Sequence, residues 1–274
     1  MKFSKLVSGL DNNIFSVLDD KKNELLSEGR EVINLSVGTP DFKPDKFVMD
    51  ELIERASDTE NYKYSLGDMP LLLKTASDWY KRRYGVDVPT DCITSCNGTQ
   101  EGIGHICLAL ADKDDIVMVP NPGYPIFGFG GLIAGTRLLE YPLKEENDYL
   151  IDFDAVSPST AHKVKVLVAS YPSNPVTAVA DDEFYEKLVF FAKKYDIFVI
   201  HDNAYSELVF DGKQGTSFLK TKGAMDVGVE FNSLSKSYNL TGARISFALG
   251  NKDMISRFKA LRSQIDYGMF YPVQ

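Results

Sequence analysis

The sequence predicts an α/β fold, a largely parallel sheet covered by helices on both faces. Two observations carry this expectation: short, largely apolar runs recur along the chain, and amphipathic stretches of helical period separate them. Residues 116–119, 164–169, 197–200, 227–231 and 245–249 are such runs, as expected of strands buried on both faces. The opening residues suit a helix up to Gly29, and "VINLSVGTPDF" suits a short strand closed by a Gly-Thr-Pro-Asp turn. Residues 68–84 form a strong helical pattern, with Leu72, Leu73, Ala76, Trp79 and Tyr80 along one face. Residues 181–195 repeat it with Phe184, Leu188, Phe191 and Tyr195. A further helical stretch, "KDMISRFKALRSQ", follows the last apolar run.

A chain of 274 residues has room for a large core and, on length alone, for about two domains. The net charge of -9 leaves no basic surplus to neutralise phosphates, which argues against nucleic-acid and anionic-membrane partners. Three cysteines, Cys92, Cys96 and Cys107, crowd one segment without a second Cys/His pair nearby. They suit small buried thiols in a reducing compartment better than metal ligands. The N-terminus lacks the apolar core of a signal peptide, and no apolar run reaches membrane-spanning length. A cytoplasmic protein is expected.

In α/β sheets ligands sit outside the carboxyl ends of the strands, so the residues that follow each predicted strand form one inventory. "CNGTQEGIGH" opens a helix with Gly98 and Thr99 where free amides and a hydroxyl converge, the form of an anion cradle. "PNPGYPIF" presents Tyr124 on a rigid turn, and "SYPSNPVTAVA" sets Asn174 between prolines. "HDNAYSE" brings Asp202 and Tyr205, and "NSLSKSYNLTGAR" brings Ser233, Ser235, Lys236 and Arg244. Taken singly, each has an ordinary structural explanation as a cap, a turn or surface packing. Together they offer donors and a fork-shaped cation for a phosphate, an aromatic face, an amide, a carboxylate and one lysine. Neither a P-loop nor a Gly-x-Gly-x-x-Gly fingerprint is present, which disfavours a nucleotide.

These motifs resemble the class I/II aminotransferases, the fold-type-I enzymes that use pyridoxal 5'-phosphate. The likeness runs in order from "LSVGTPDF" through "YKYSLGDMPLL", "NGTQEGI", "PNPGYP", "SYPSNP", "HDNAYSELVF" and "SLSKSYNLTGAR" to "ISFALGN". Within the family the chain is nearest in look to the LL-diaminopimelate aminotransferase-like branch. The resemblance implies a large cofactor domain over residues 37–274, with a mostly parallel seven-stranded sheet between helices. Residues 1–36 would be the N-terminal part of an incomplete small domain. It implies that Lys236 carries the cofactor as a Schiff base and then moves the proton during transamination. Asp202 would pair with the pyridine nitrogen, Asn174 and Tyr205 would bond the ring's phenolate oxygen, and Tyr124 would cover the ring. Gly98, Thr99, Gln100, Ser233, Ser235 and Arg244 would hold the phosphate, arginine through two parallel hydrogen bonds. Tyr62, with Tyr64 as the alternative, would reach the phosphate of a partner subunit, which makes a homodimer. Gly38 and Asn174 would meet the substrate. No metal is implied.

Two departures stand out. The family's Asn-Pro-Thr-Gly reads Asn174-Pro175-Val176-Thr177 here, so the loop must avoid a left-handed residue or strain to hold one. The sequence also ends at "YGMFYPVQ", where the family continues into a C-terminal segment bearing an arginine for the substrate carboxylate. The expectation is a fragment whose opening helix leaves Leu18, Leu25 and Leu26 without that segment. The leading function is amino transfer between an amino acid and a 2-oxo acid. A carbon–sulfur β-lyase on the same fold, a non-catalytic cofactor-binding module and an inactive truncated remnant are the alternatives.

Overall fold

The computed structural model describes residues 4–8 and 14–274. The chain forms two compact units, residues 1–42 and 43–274. In the first, a helix spans Ile14–Ser27 and leaves Leu18 and Leu26 exposed. The strand expected at the start of "VINLSVGTPDF" does not form: residues 32–42 make no ladder, and Ile33 and Leu35 stand 82% and 90% exposed. An extended segment with no strand beside it gains neither backbone partners nor burial for its alternate side chains.

The second unit is built on seven strands: β1 (Ile93–Cys96), β2 (Ile116–Asn121), β3 (Arg137–Pro142), β4 (Val164–Ser170), β5 (Phe198–Asp202), β6 (Gly228–Ser233) and β7 (Ser246–Gly250). Their order across the sheet is β1-β7-β6-β5-β4-β2-β3. All neighbours are parallel except β7, which runs against both β1 and β6. The carboxyl ends of β1, β2, β4, β5 and β6 therefore open on one edge of the sheet. Helical connections between parallel strands account for this arrangement, since a tight hairpin cannot join them.

Each face of the sheet carries its own apolar layer. One packs Tyr80, Leu188, Val199 and Phe218 together, under the helices Pro70–Tyr84 and Asp182–Tyr195. The other packs Ile103, Phe127, Ile200, Phe231 and Phe258 beneath the helices Thr99–Leu110, Ile126–Ile133 and Lys252–Arg262. Fully burying a side chain of this size contributes about 1.5–3 kcal/mol. Local chemistry sets the helix ends. Pro70 occupies the first turn of its helix and Lys81, Arg82 and Arg83 the last, where their charges oppose the dipole. Asp181 caps its helix by accepting a hydrogen bond from the Phe184 amide at 2.8 Å. Cys92, Cys96 and Cys107 are buried free thiols, and burial pushes the Cys107 thiol up to about 12.

Candidate cofactor site

The strand ends bring the predicted residues together in two rows. Cys96 of β1 and Ser233 of β6 both pair with Ser246 of β7. The segments leaving them, Asn97–Gly98 and Leu234–Lys236, thus depart from the same edge, one strand apart. In the second row Ser170, Asp202 and Phe231 are register partners on β4, β5 and β6. Asn174 follows the first of these strands, Tyr205 the second and Lys236 the third.

Side-chain contacts close the cluster. Asn174 Nδ2 donates to the Tyr205 hydroxyl at 3.4 Å. Lys236 Nζ lies 5.9 Å from the centroid of the Tyr205 ring. The Tyr124 hydroxyl donates to Gln100 Oε1 at 3.0 Å, and its ring meets Phe127 edge-on at 6.1 Å. Ser233, buried at the end of β6, accepts from the Ser235 amide at 3.1 Å and so starts the short turn that carries Lys236. Arg244 sits at φ 53 with its Nη1 donating to the Thr241 carbonyl at 3.0 Å. That turn folds its guanidinium back over Gly98, whose φ of +87 and missing β-carbon admit it. Gly98 opens the twelve-residue helix Thr99–Leu110, and among the described residues no side chain caps it. A helix N-terminus with an arginine laid across it is a site for an anion.

The charges here are set by burial and by one another. Burial pushes the Asp202 carboxyl up to about 6, against a downward pull from His201. Its Oδ1 is buried with no hydrogen-bond partner among the described residues, an acceptor aimed at something the polypeptide does not supply. Burial, then the Asp202 charge, raises the hydroxyls of Tyr205 and Tyr124. Burial and the Arg244 guanidinium hold Lys236 below the usual lysine range, which suits a nucleophilic amine. Gly38 lies exposed in the first unit. Tyr62 is 64% exposed, and its hydroxyl donates to the Ala56 carbonyl at 2.8 Å.

A family model described as aminotransferase class I and II matches residues 30–267. The chain belongs to that family. Two relatives from Moorella thermoacetica and Aquifex aeolicus, each named LL-diaminopimelate aminotransferase, are 40% identical and match 100% of this chain and 71% of their own length. Among solved structures, apo-BacF from Bacillus subtilis superposes with a TM-score of 0.95 at 34% identity, over 100% of this chain and 70% of its own. A probable N-succinyldiaminopimelate aminotransferase from Thermus thermophilus superposes at 0.90 and 35% identity, over 95% and 71%. Class I and II aminotransferases use pyridoxal 5'-phosphate to move an amino group between an amino acid and a 2-oxo acid. The residues of this aminotransferase chain fit that cofactor. The orphaned Asp202 oxygen suits a protonated ring nitrogen, and the Gly98–Arg244 cradle suits a phosphate. No helix among the described residues is long and apolar enough to cross a membrane.

One buried network behind the site was not evident from the sequence. His201 and Glu230, neighbours on β5 and β6, bond each other at 2.9 Å with neither side chain exposed. Part of its signal was available: Glu230 is an ionisable residue inside a run read as a buried strand, and His201 directly follows another.

Proposed function

We propose that this chain catalyses transamination with Lys236 as the residue that holds the cofactor, as a Schiff base through Nζ. When bound, the cofactor supplies an electron sink for the charge released at the substrate Cα. Once displaced by the substrate amine, the Lys236 amine would be the group that takes the proton leaving the substrate Cα and holds it at Nζ for return, a role its lowered pKa and its place above the Tyr205 ring both support. Asp202 would hold a proton on the ring nitrogen. Asn174 and Tyr205, already bonded to each other, would hold the ring by its phenolate oxygen, and Tyr124 would cover it. Gly98, Thr99, Gln100, Ser233, Ser235 and Arg244 would bind the phosphate, and Asn174 would meet the substrate.

The single observation that carries this reading is Asp202 Oδ1, buried and unpartnered at the end of β5. A core carboxylate of that kind costs stability unless a cation completes it. The reading also includes a homodimer in which Tyr62 reaches the partner's phosphate. An exposed aromatic patch supports it: Tyr62 meets Phe270 at 5.2 Å and Tyr64 meets Tyr267 at 5.6 Å, all four exposed. Residues 37–274 then form the cofactor domain, and residues 1–36 contribute to a second domain. A reducing cytoplasm suits the three buried free thiols.

Transfer of ¹⁵N tests the function directly. The cofactor-loaded chain is mixed with ¹⁵N-labelled amino acids, LL-diaminopimelate among them, and a panel of 2-oxo acids. Label appearing in a new amino acid supports transamination. Release of labelled ammonia without transfer identifies a lyase instead.

A further inference from the structure

We propose that His201 and Glu230 form a buried ion pair whose imidazolium, on the opposite face of β5 from Asp202, supplies the positive charge against which Asp202 keeps its carboxylate. The inference rests on the reading of Asp202 as the partner of the cofactor's ring nitrogen.

The geometry begins with Glu230. Its Oε1 accepts from the hydroxyls of Tyr80 and Ser217, both at 2.8 Å. Its Oε2 accepts from the Phe218 amide at 2.8 Å and faces His201 Nδ1 at 2.9 Å. Three donors and the His201 ring nitrogen around two oxygens suit an ionised carboxylate, which accepts at every position. Burial works against that charge, yet His201, Ser217 and Tyr80 hold the Glu230 carboxyl below its usual range. A fully buried anion needs a cation beside it, and His201 is the basic side chain it touches.

The other ring nitrogen agrees. His201 Nε2 faces the Tyr185 hydroxyl at 3.1 Å, and that hydroxyl donates onward to the Tyr171 carbonyl at 3.4 Å. With its hydrogen directed to Tyr171, the Tyr185 oxygen is left to accept, and both imidazole nitrogens then face acceptors, the arrangement that suits an imidazolium. The titratable groups packed against it are Glu230 from β6, Tyr185 from the helix Asp182–Tyr195 and, through Glu230, Tyr80 from the helix Pro70–Tyr84. The Phe218 ring, 5.7 Å away, shuts out water.

Strand alternation places this cation. Val199 packs into the same apolar layer as Tyr185 and Phe218, which contact His201, while Ile200 packs into the other. Successive side chains point to opposite faces, so His201 and Asp202 stand back to back across β5. His201 adjoins Asp202 in the chain while Glu230 lies on the neighbouring strand, and the His201 attraction on Asp202 outweighs the Glu230 repulsion. The pair is a positioning device: it touches neither substrate nor cofactor and sets the charge of the residue that does.

The chain contains only three histidines, His105, His162 and His201, so ¹⁵N NMR of histidine-labelled protein tests the ion pair without cofactor or substrate. We expect both His201 ring nitrogens to carry protons at neutral pH in the wild type, and the ring to become neutral in Glu230→Gln. A neutral His201 ring in the wild type at that pH overturns the proposal and leaves the assignment of Asp202 untouched. In the cofactor-loaded enzyme, Glu230→Gln should move the acidic limb of the kcat profile upward by about one pH unit, as expected for loss of a nearby opposite charge. KM should stay within about threefold, because the pair contacts no substrate. If Glu230→Gln does not fold, His201→Gln serves, with an upward shift at least as large expected, because the Glu230 charge remains. An unmoved acidic limb in a folded variant contradicts the proposal. Full activity in Asp202→Ala would instead remove the reading on which it rests.

Discussion

Arg244 lays its guanidinium where a β-carbon on Gly98 would stand. The two residues are far apart in sequence, yet β1, β7 and β6 bring their segments to one edge of the sheet. Any side chain at position 98 must expel the guanidinium from the N-terminus of the helix Thr99–Leu110 and must also adopt a φ of +87.

Gly98→Ala should therefore weaken pyridoxal phosphate binding by tenfold or more, about 1.4 kcal/mol for each factor of ten. Equilibrium dialysis of the cofactor-free variant measures it. An unchanged Kd would mean that the phosphate is held elsewhere.

Asp202 makes a prediction about the cofactor-free protein and pH. Its carboxyl is pushed up to about 6 by burial, whereas an unfolded aspartate titrates near 3.9. A raised folded-state pKa means that the native state binds the proton more tightly. The associated stability is fully present below about pH 4 and is lost as pH rises through 6. Asp202→Asn should then stabilise the cofactor-free chain at pH 8 by on the order of 2–3 kcal/mol and leave it unchanged near pH 3.5. Urea unfolding at the two pH values checks this, and an equal effect at both would contradict it.

Thr177 takes the left-handed conformation, φ 59, at the loop position where the family carries glycine. The loop is kept by hydrogen bonds from the Thr177 amide to the Ser173 carbonyl at 2.8 Å and from the Ser173 amide to the Ala178 carbonyl at 2.9 Å. Of the two options open to the sequence, strain prevails over a changed loop path. Thr177→Gly should relieve roughly 1 kcal/mol, the left-handed penalty less the entropy that glycine adds to the unfolded chain. A higher thermal midpoint with unaltered cofactor affinity is the expected result, and a lower midpoint would contradict the strain.

The elements legible in the sequence were those with a strong period or a buried apolar run, such as the helix Pro70–Tyr84 and strands β2, β4 and β5. The strand-end rule then brought Asn174, Asp202, Tyr205 and Lys236 onto one edge. What escaped has physical reasons. Strand β3 lies at the sheet edge, where Arg137 and Glu140 break the apolar run and only Tyr141 is buried. The helix Ile126–Ile133 holds three glycines, poor helix formers. Gly130 is required there because a β-carbon would strike the Ile103 carbonyl of the neighbouring helix. The His201–Glu230 pair depends on strand register, which local patterning does not reveal. The strand expected near residue 33 failed for the converse reason: its apolar residues have no sheet to join.

Lys236 is the centre of the account, and one measurement addresses it most directly. The chain is loaded with pyridoxal 5'-phosphate, reduced with borohydride, digested and mapped by mass spectrometry. The phosphopyridoxyl mass is expected on Lys236 alone. The same mass on another lysine, or on none in a chain that has bound the cofactor, would contradict it.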